Sequence, residues 1–201
     1  FDPFFLDRER FDVLYLVLHQ ESIFTNLPIK LKKETQFNEK EISEDLYNDY
    51  SNFKCRLFDN LVKNHPDNDK LILFKKSQKL LDRFLFILFA EDSGLLPPNS
   101  ISRIIKRFQI LKDEDAYKPL YEIFKQYFGY MNIGRKGKTE NDNIPAYNGG
   151  LFYEDLMLDN LTIDDEALLD DLQKISTYDF NTEVDVNILG HIFEHSLTEI
   201  E

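Results

Sequence analysis

Two histidines four residues apart, His191 and His195, with Glu194 beside the second, have the residue types and spacing for metal chemistry. On a helix, positions i and i+4 share a face, so two imidazoles there could bind one zinc ion while a neighbouring carboxylate served as general base. A catalytic zinc of this kind needs a third protein ligand on a later element, and only six residues follow His195. Polar residues at i and i+4, opposite Ile188, Ile192 and Phe193, are also what an ordinary amphipathic helix turns toward solvent or an interface. That reading is the stronger one, and no metal ligand is assigned.

A second group of ionisable residues lies in or just after the most apolar stretch of the chain: Asp82, Arg83, Glu91 and Asp92. Neighbouring carboxylates suit acid–base catalysis, but no nucleophile stands near them in sequence. An isolated charge in such surroundings is costly, so Arg83 and Glu91 are expected to find ionic partners and to fix helix packing. Cations gather at three places: Lys75, Lys76, Lys79 and Arg83; Arg103, Lys106 and Arg107; and Arg135, Lys136 and Lys138 among glycines. The last two sets are the candidates for contact with a DNA backbone. The third is the best of them, because a glycine-rich loop lets cationic side chains approach phosphates closely, although a solvated loop accounts for it equally well. Gly134 and Gly137 lack the lysine spacing and the preceding strand of a nucleotide cradle. Between Ile144 and Phe152, Tyr147, Asn148, Gly149 and Gly150 predict a tight structural turn pinned by apolar anchors on each side.

The bulk composition limits what these residues can do. A formal net charge of -13 opposes free-standing nucleic-acid binding, which draws on cations that displace counterions from phosphates. Any DNA contact must be local. From Glu154 to Asp171 the chain has eight carboxylates and no Lys or Arg, a run expected to face solvent or a basic partner. The 201 residues, 42% hydrophobic with 18 Phe and 10 Tyr, are enough to fill a sizeable core. One cysteine, Cys55, permits no internal disulfide and fits a reducing cytoplasm. The longest apolar run, Leu80 to Ala90, is broken by charges and too short to span a bilayer, so no membrane association is expected. The start at Phe1, without Met or a secretory leader, predicts a piece of a longer chain.

Periodicity predicts an all-α fold. A helix is expected over Phe4 to Gln20, a loop over Pro28 to Asn38, and then a long helix carrying Ile42, Leu46, Tyr50, Phe53, Leu57 and Leu61 on one stripe. Residues Leu71 to Glu91 are apolar nearly all round and predict the central buried helix. Asn99 is placed to cap a short helix bearing Ile101, Ile104, Ile105 and Phe108, and another is expected from Lys118 to Phe128 with Gly129 at its end. Residues 130–153 form the main irregular segment. Helices bearing Leu168, Leu169, Leu172 and Ile175, and then Ile188, Leu189, Ile192, Phe193 and Leu197, complete the chain. The expectation is a single domain over 1–201, with sub-layers 1–129 and 154–201 joined by 130–153.

Three strings, in this order, carry a family resemblance: Gln78 to Pro97 (QKLLDRFLFILFAEDSGLLP), Ile144 to Phe152 (IPAYNGGLF) and Ile188 to Glu194 (ILGHIFE). Together they resemble the region upstream of the methyltransferase domain in type IIG restriction-modification enzymes and related large adenine-N6 DNA methyltransferases. The resemblance covers about the C-terminal 130 residues. It implies a bacterial parent protein with a nuclease on the N-terminal side and a methyltransferase following, and with S-adenosylmethionine and Mg as cofactors of that parent. The family's methyl-donor glycine motif and Asn-Pro-Pro-Tyr motif have no counterpart here, nor does an Asp plus Glu-x-Lys nuclease core. No catalytic or cofactor-binding residue is therefore carried over. The expectation is a non-catalytic helical connector whose partners are the adjoining methyltransferase and nuclease parts of the same chain, and DNA through the parent. The rival is a stand-alone acidic helical module for protein interaction.

Overall fold

The computed structural model describes residues 7–147 and 149–182 together with Val184, Gly190 and Ile192. It is all-α: 71% helical, with no strand among the described residues. The chain divides into two compact units, residues 1–42 and 43–201.

The first unit holds α1 (Arg8–Leu18), α2 (Gln20–Phe24) and the opening of α3 (Leu27–Asn64). Asp7 starts α1 by accepting a hydrogen bond from the Arg10 backbone N–H. The large apolar residues at helical spacing in α1 cover no core: Phe11, Tyr15 and Leu18 are all more than half exposed, as are Ile23 and Phe24 in α2. The loop expected over Pro28 to Asn38 is instead helix. Pro28 falls in the first turn, where its missing N–H breaks no intrahelical bond, and the Lys, Leu, Glu and Gln that follow are strong helix formers. Periodicity missed this segment because a helix that buries no face has no hydrophobic period to detect.

In the second unit, the remainder of α3 carries the predicted stripe, with Leu46, Tyr50, Phe53, Leu57 and Leu61 all buried. The central helix is α4 (Lys70–Asp92), capped by the Asp69 carboxylate on the N–H groups of Leu71 and Ile72. Leu73, Leu80, Leu81, Phe84, Leu85, Ile87 and Leu88 are buried along it. Around α4 come α5 (Ser100–Asp113), α6 (Leu120–Ile133), the short α7 (Leu156–Asp159) and α8 (Glu166–Ile175). Phe84 is the aromatic hub, with ring centroids 6.2 Å from Phe53 on α3 and 4.9 Å and 5.7 Å from Phe124 and Phe128 on α6. Gly129, expected to end α6, lies inside it; the helix runs on to Gly134, whose φ of 80° stops it.

Arg83 ties α4 to the turn that ends the irregular segment. Its side chain is 1% exposed. Nε donates to the Leu151 carbonyl at 2.8 Å and Nη2 to the Tyr153 carbonyl at 2.9 Å, while Nη1 lies 3.6 Å from the Asp159 carboxylate. The guanidinium also sits over the Phe128 ring, 5.1 Å from its centroid. Burial lowers the Arg83 pKa, and Asp159 opposes that shift; a guanidinium stays charged throughout.

Glu91, at the end of α4, meets backbone rather than a cation. Its Oε2 accepts from the Ser100 N–H at 2.6 Å and the Ile101 N–H at 3.4 Å. This carboxylate caps α5 in place of Asn99, which occupies the cap position in a left-handed conformation (φ 55°) and makes no side-chain capping bond. Burial pushes Glu91 up to about 7, even though the two N–H donors pull it down.

Five of the eight carboxylates of the acidic run, Asp155, Asp159, Asp164, Asp165 and Asp171, are engaged within the second unit. Asp155 accepts from Lys76 at 2.7 Å and Lys79 at 2.9 Å. Burial would raise the Asp155 pKa, but these lysines and the Leu158 N–H hold it well below the usual carboxylate range. Asp164 accepts from Asn60 and Asn64, Asp171 pairs with Arg56, and Asp165 caps α6 through the Leu120 N–H at 2.7 Å.

Replacing Arg83 with Met keeps an unbranched apolar stem but removes the charged donor of the Leu151 and Tyr153 carbonyls, each such bond being worth about 1.5–3 kcal/mol. The expected loss is about 3 kcal/mol or more in the free energy of unfolding, read from denaturant midpoints. Glu91 makes a different prediction. Its folded pKa of about 7 lies above its ordinary value of 4.5, so the folded state holds the proton more tightly. Its contribution to stability therefore falls as pH rises through that interval and levels off above it, with a slope of at most about 1.4 kcal/mol per pH unit. Glu91→Gln, which keeps a capping oxygen, is expected to remove that slope; an unchanged pH profile would refute the assignment.

Candidate nucleic-acid interface

Two of the three basic clusters meet at one groove. Arg103 and Arg107 stand one turn apart on α5 and so share a face. Arg135 follows the end of α6, where an isolated antiparallel bridge fixes its backbone: its N–H donates to Ile144 O at 2.8 Å, and the Ile144 N–H returns to Arg135 O at 2.9 Å. The three arginines line a cavity of about 190 Å³ together with Tyr127, Tyr130 and Asp142. Arg135 stacks on Tyr130, its guanidinium carbon 4.8 Å from the ring centroid. Beneath it, the Tyr127 hydroxyl donates to Ser100 Oγ at 2.9 Å, and Ser100 Oγ donates to the Pro97 carbonyl. Burial raises the Tyr127 pKa, so that hydroxyl stays protonated.

Asp142 is the one carboxylate among the described residues that line the groove. It ends a 3-10 turn, Glu140–Asp142, where its Oδ2 accepts from the Thr139 hydroxyl at 2.8 Å and its Oδ1 lies 3.5 Å from Arg103 Nη2. The Thr139 bond, with the nearby Arg103, lowers its pKa. Gly137 lets the turn close: a Cβ there would run into the backbone of Asp142.

Lys106, Lys136 and Lys138 are exposed but do not line the groove. In the remaining cluster, Lys76 and Lys79 are bound to Asp155 and Arg83 is buried, which leaves Lys75 exposed. The carboxylates once weighed for catalysis hold structure as well. Asp82 accepts from Gln78 and is pushed up to about 6 by burial, and Asp92 accepts the Phe180 N–H at 2.8 Å.

Tyr147 packs its ring between Phe86, at 4.3 Å, and Phe152, at 5.6 Å, and its N–H donates to the Met131 carbonyl at 2.7 Å. Gly149 lies against that ring, where a side chain would collide with it, and Gly150 begins the 3-10 turn Gly150–Phe152. Asn148 lies outside the described residues, as do His191, Glu194 and His195. No cluster of metal-binding side chains occurs among the described residues. Sequence reasoning missed Asp142, Ser100 and the two tyrosines. Tyr127 falls inside the helix expected from Lys118 to Phe128 without a mark of its own, and nothing in the spacing of Asp142 marks it.

The segment that builds the groove and the Arg83 turn is also the segment that comparison picks out. Residues 75–152 match the family described as MmeI, helicase spacer domain. Over 186 residues the chain is 27% identical to a Methanocaldococcus jannaschii protein named as a candidate type II restriction enzyme and methyltransferase. The match takes in 81% of this chain but only 15% of that relative. The resemblance to the spacer region of type IIG enzymes is borne out by these two findings. No solved structure matches the chain. Among the described residues no helix is long and apolar enough to cross a membrane.

Gly137→Ala is expected to push the 140–142 turn outward and free Arg103 from Asp142. Severalfold faster tryptic cleavage after Lys136 and Lys138, with little change in far-ultraviolet circular dichroism, would show it. Unchanged cleavage would count against the close approach.

Proposed function

We propose that this chain is the non-catalytic helical connector of a type IIG restriction-modification enzyme, holding nuclease and adenine-N6 methyltransferase parts at a fixed separation. In this reading Arg103, Arg107 and Arg135 contact DNA backbone phosphates, while S-adenosylmethionine and Mg serve the parent outside this segment. The observation that carries the reading is the match of residues 75–152 to a spacer family, because that same stretch is nailed together by Arg83 and presents the arginine groove. A rigid body suits a spacer. Three cations, two from α5 and one from the loop after α6, facing one cavity suit a phosphodiester, whose oxygens take the forked donors of arginine.

The acidic run does not favour a stand-alone acidic interaction module. Asp155, Asp164, Asp165 and Asp171 are spent on Lys76, Lys79, Asn60, Asn64, the α6 N-terminus and Arg56 inside the second unit.

A net charge of -13 makes the expected DNA binding weak and strongly dependent on salt. With a labelled duplex followed by fluorescence anisotropy, replacing Arg103, Arg107 and Arg135 together by Ala is expected to weaken binding about tenfold or more. Residual binding should show a log–log salt slope shallower by about 1, as the loss of one phosphate contact shared by the three arginines requires. Binding indifferent to salt, or unchanged in the triple variant, would remove the DNA contact. Methyl transfer or DNA cleavage by this chain alone would remove the connector reading.

A further inference from the structure

We infer that the arginine groove is a preformed seat for a single DNA phosphate and that the Asp142 carboxylate occupies it in the free protein, standing where a phosphate oxygen would. The inference rests on the DNA contact proposed above and specifies its ligand and its regulation.

Size sets the first limit. A cavity of about 190 Å³ is smaller than the ~300–1,000 Å³ of pockets that enclose drug-sized ligands, and it has room for a phosphate group. Charge sets the second. Three guanidinium groups face one carboxylate, so the groove keeps an excess of positive charge with Asp142 in place.

The geometry then separates Asp142 from a structural partner. A tight charge-assisted bond between arginine and an anion has a heavy-atom distance of about 2.7–2.9 Å. Arg103 Nη2 stands 3.5 Å from Asp142 Oδ1, whereas the other carboxylate oxygen is held by Thr139 at 2.8 Å. Asp142 is thus anchored to its own turn and only loosely engaged with the arginine. A phosphodiester, free to settle among Arg103, Arg107 and Arg135, makes shorter bonds and displaces that contact without unfolding the turn. Arg103 is more than half exposed, so release is not opposed by burial. The groove walls do not need to form on binding: Arg135 is fixed by its bridge to Ile144 and by its stacking on Tyr130.

The consequence is competition between an internal carboxylate and an external phosphate for the same cation. Asp142→Asn keeps the Thr139 bond and removes the competing charge. It is expected to tighten binding of a labelled non-specific duplex by about twofold to fivefold, the scale of one exposed ion pair. Glu140→Gln, on the same turn but away from the groove lining, controls for a general loss of negative charge and should give a clearly smaller gain. In an Arg103→Ala background the gain from Asp142→Asn should vanish. Inorganic phosphate should displace the duplex no better than chloride at matched ionic strength.

No gain from Asp142→Asn, an equal gain from Glu140→Gln, or a gain that survives without Arg103 would overturn the inference. Preferential displacement by inorganic phosphate would make the seat a free-anion site and overturn it too. If Arg103→Ala and the triple arginine variant both left duplex binding untouched, the DNA contact itself would have failed, which is a separate result from failure of the Asp142 competition.

Discussion

A guanidinium buried among phenylalanines must find acceptors, and the way Arg83 finds them organises much of the second unit. Its two backbone acceptors, Leu151 and Tyr153, flank the end of a turn that would otherwise be a surface excursion, and its stem and plane lie against Phe128 and Phe152. Such a burial is tolerable only when the donors are matched, because an unpaired ion in the interior costs several kcal/mol after relaxation. The requirement works in both directions. The turn is fixed because Arg83 needs carbonyls, and α6 is held close because the same cation stacks on its aromatic face. The groove between α5, α6 and the 135–144 loop inherits that order. Tyr147, which follows the loop, packs on Phe86 of α4 and on Phe152 of the Arg83 turn, so the loop ends are tethered to the central helix.

Electrostatics divides the cations into two kinds. Those facing the acidic run are consumed: Lys76 and Lys79 converge on Asp155, and Arg56 on Asp171. Those on α5 and the glycine loop meet few internal carboxylates and stay available. A chain with strong net negative charge can thereby present a positive cavity, because three arginines and a single carboxylate are found among the described residues that line it. Overall charge predicts weak long-range attraction to DNA, while the local arrangement decides whether a phosphate is held once it arrives.

Much of this was legible in the sequence, for reasons that differ from element to element. The stripe Leu46 to Leu61 and the all-round apolar α4 are readable because burial imposes a period, and the three family strings point to the Arg83 turn and its surroundings. The 28–38 helix was not readable, since it buries no face and only propensity speaks for it. The cap of α5 was misassigned to Asn99 because capping rules look to the adjacent residue, whereas Glu91 reaches it from the preceding helix. The groove was half visible: its cations formed two separate clusters in the sequence, and nothing short of the fold says that Arg103, Arg107 and Arg135 converge, or that Asp142 sits among them.

The two buried carboxylate and guanidinium fixtures also differ in the length of chain each must gather, and this bears on how the structure assembles. Glu91 and Ser100 are nine residues apart, while Arg83 and Leu151 are separated by 68. Closing the longer loop costs roughly 2 kcal/mol more in chain entropy than closing the shorter one. The corner between α4 and α5 is therefore a local event that forms ahead of the rest, a prefabricated bracket. The Arg83 turn has to wait until α5 and α6 have brought the intervening seventy or so residues back across the central helix.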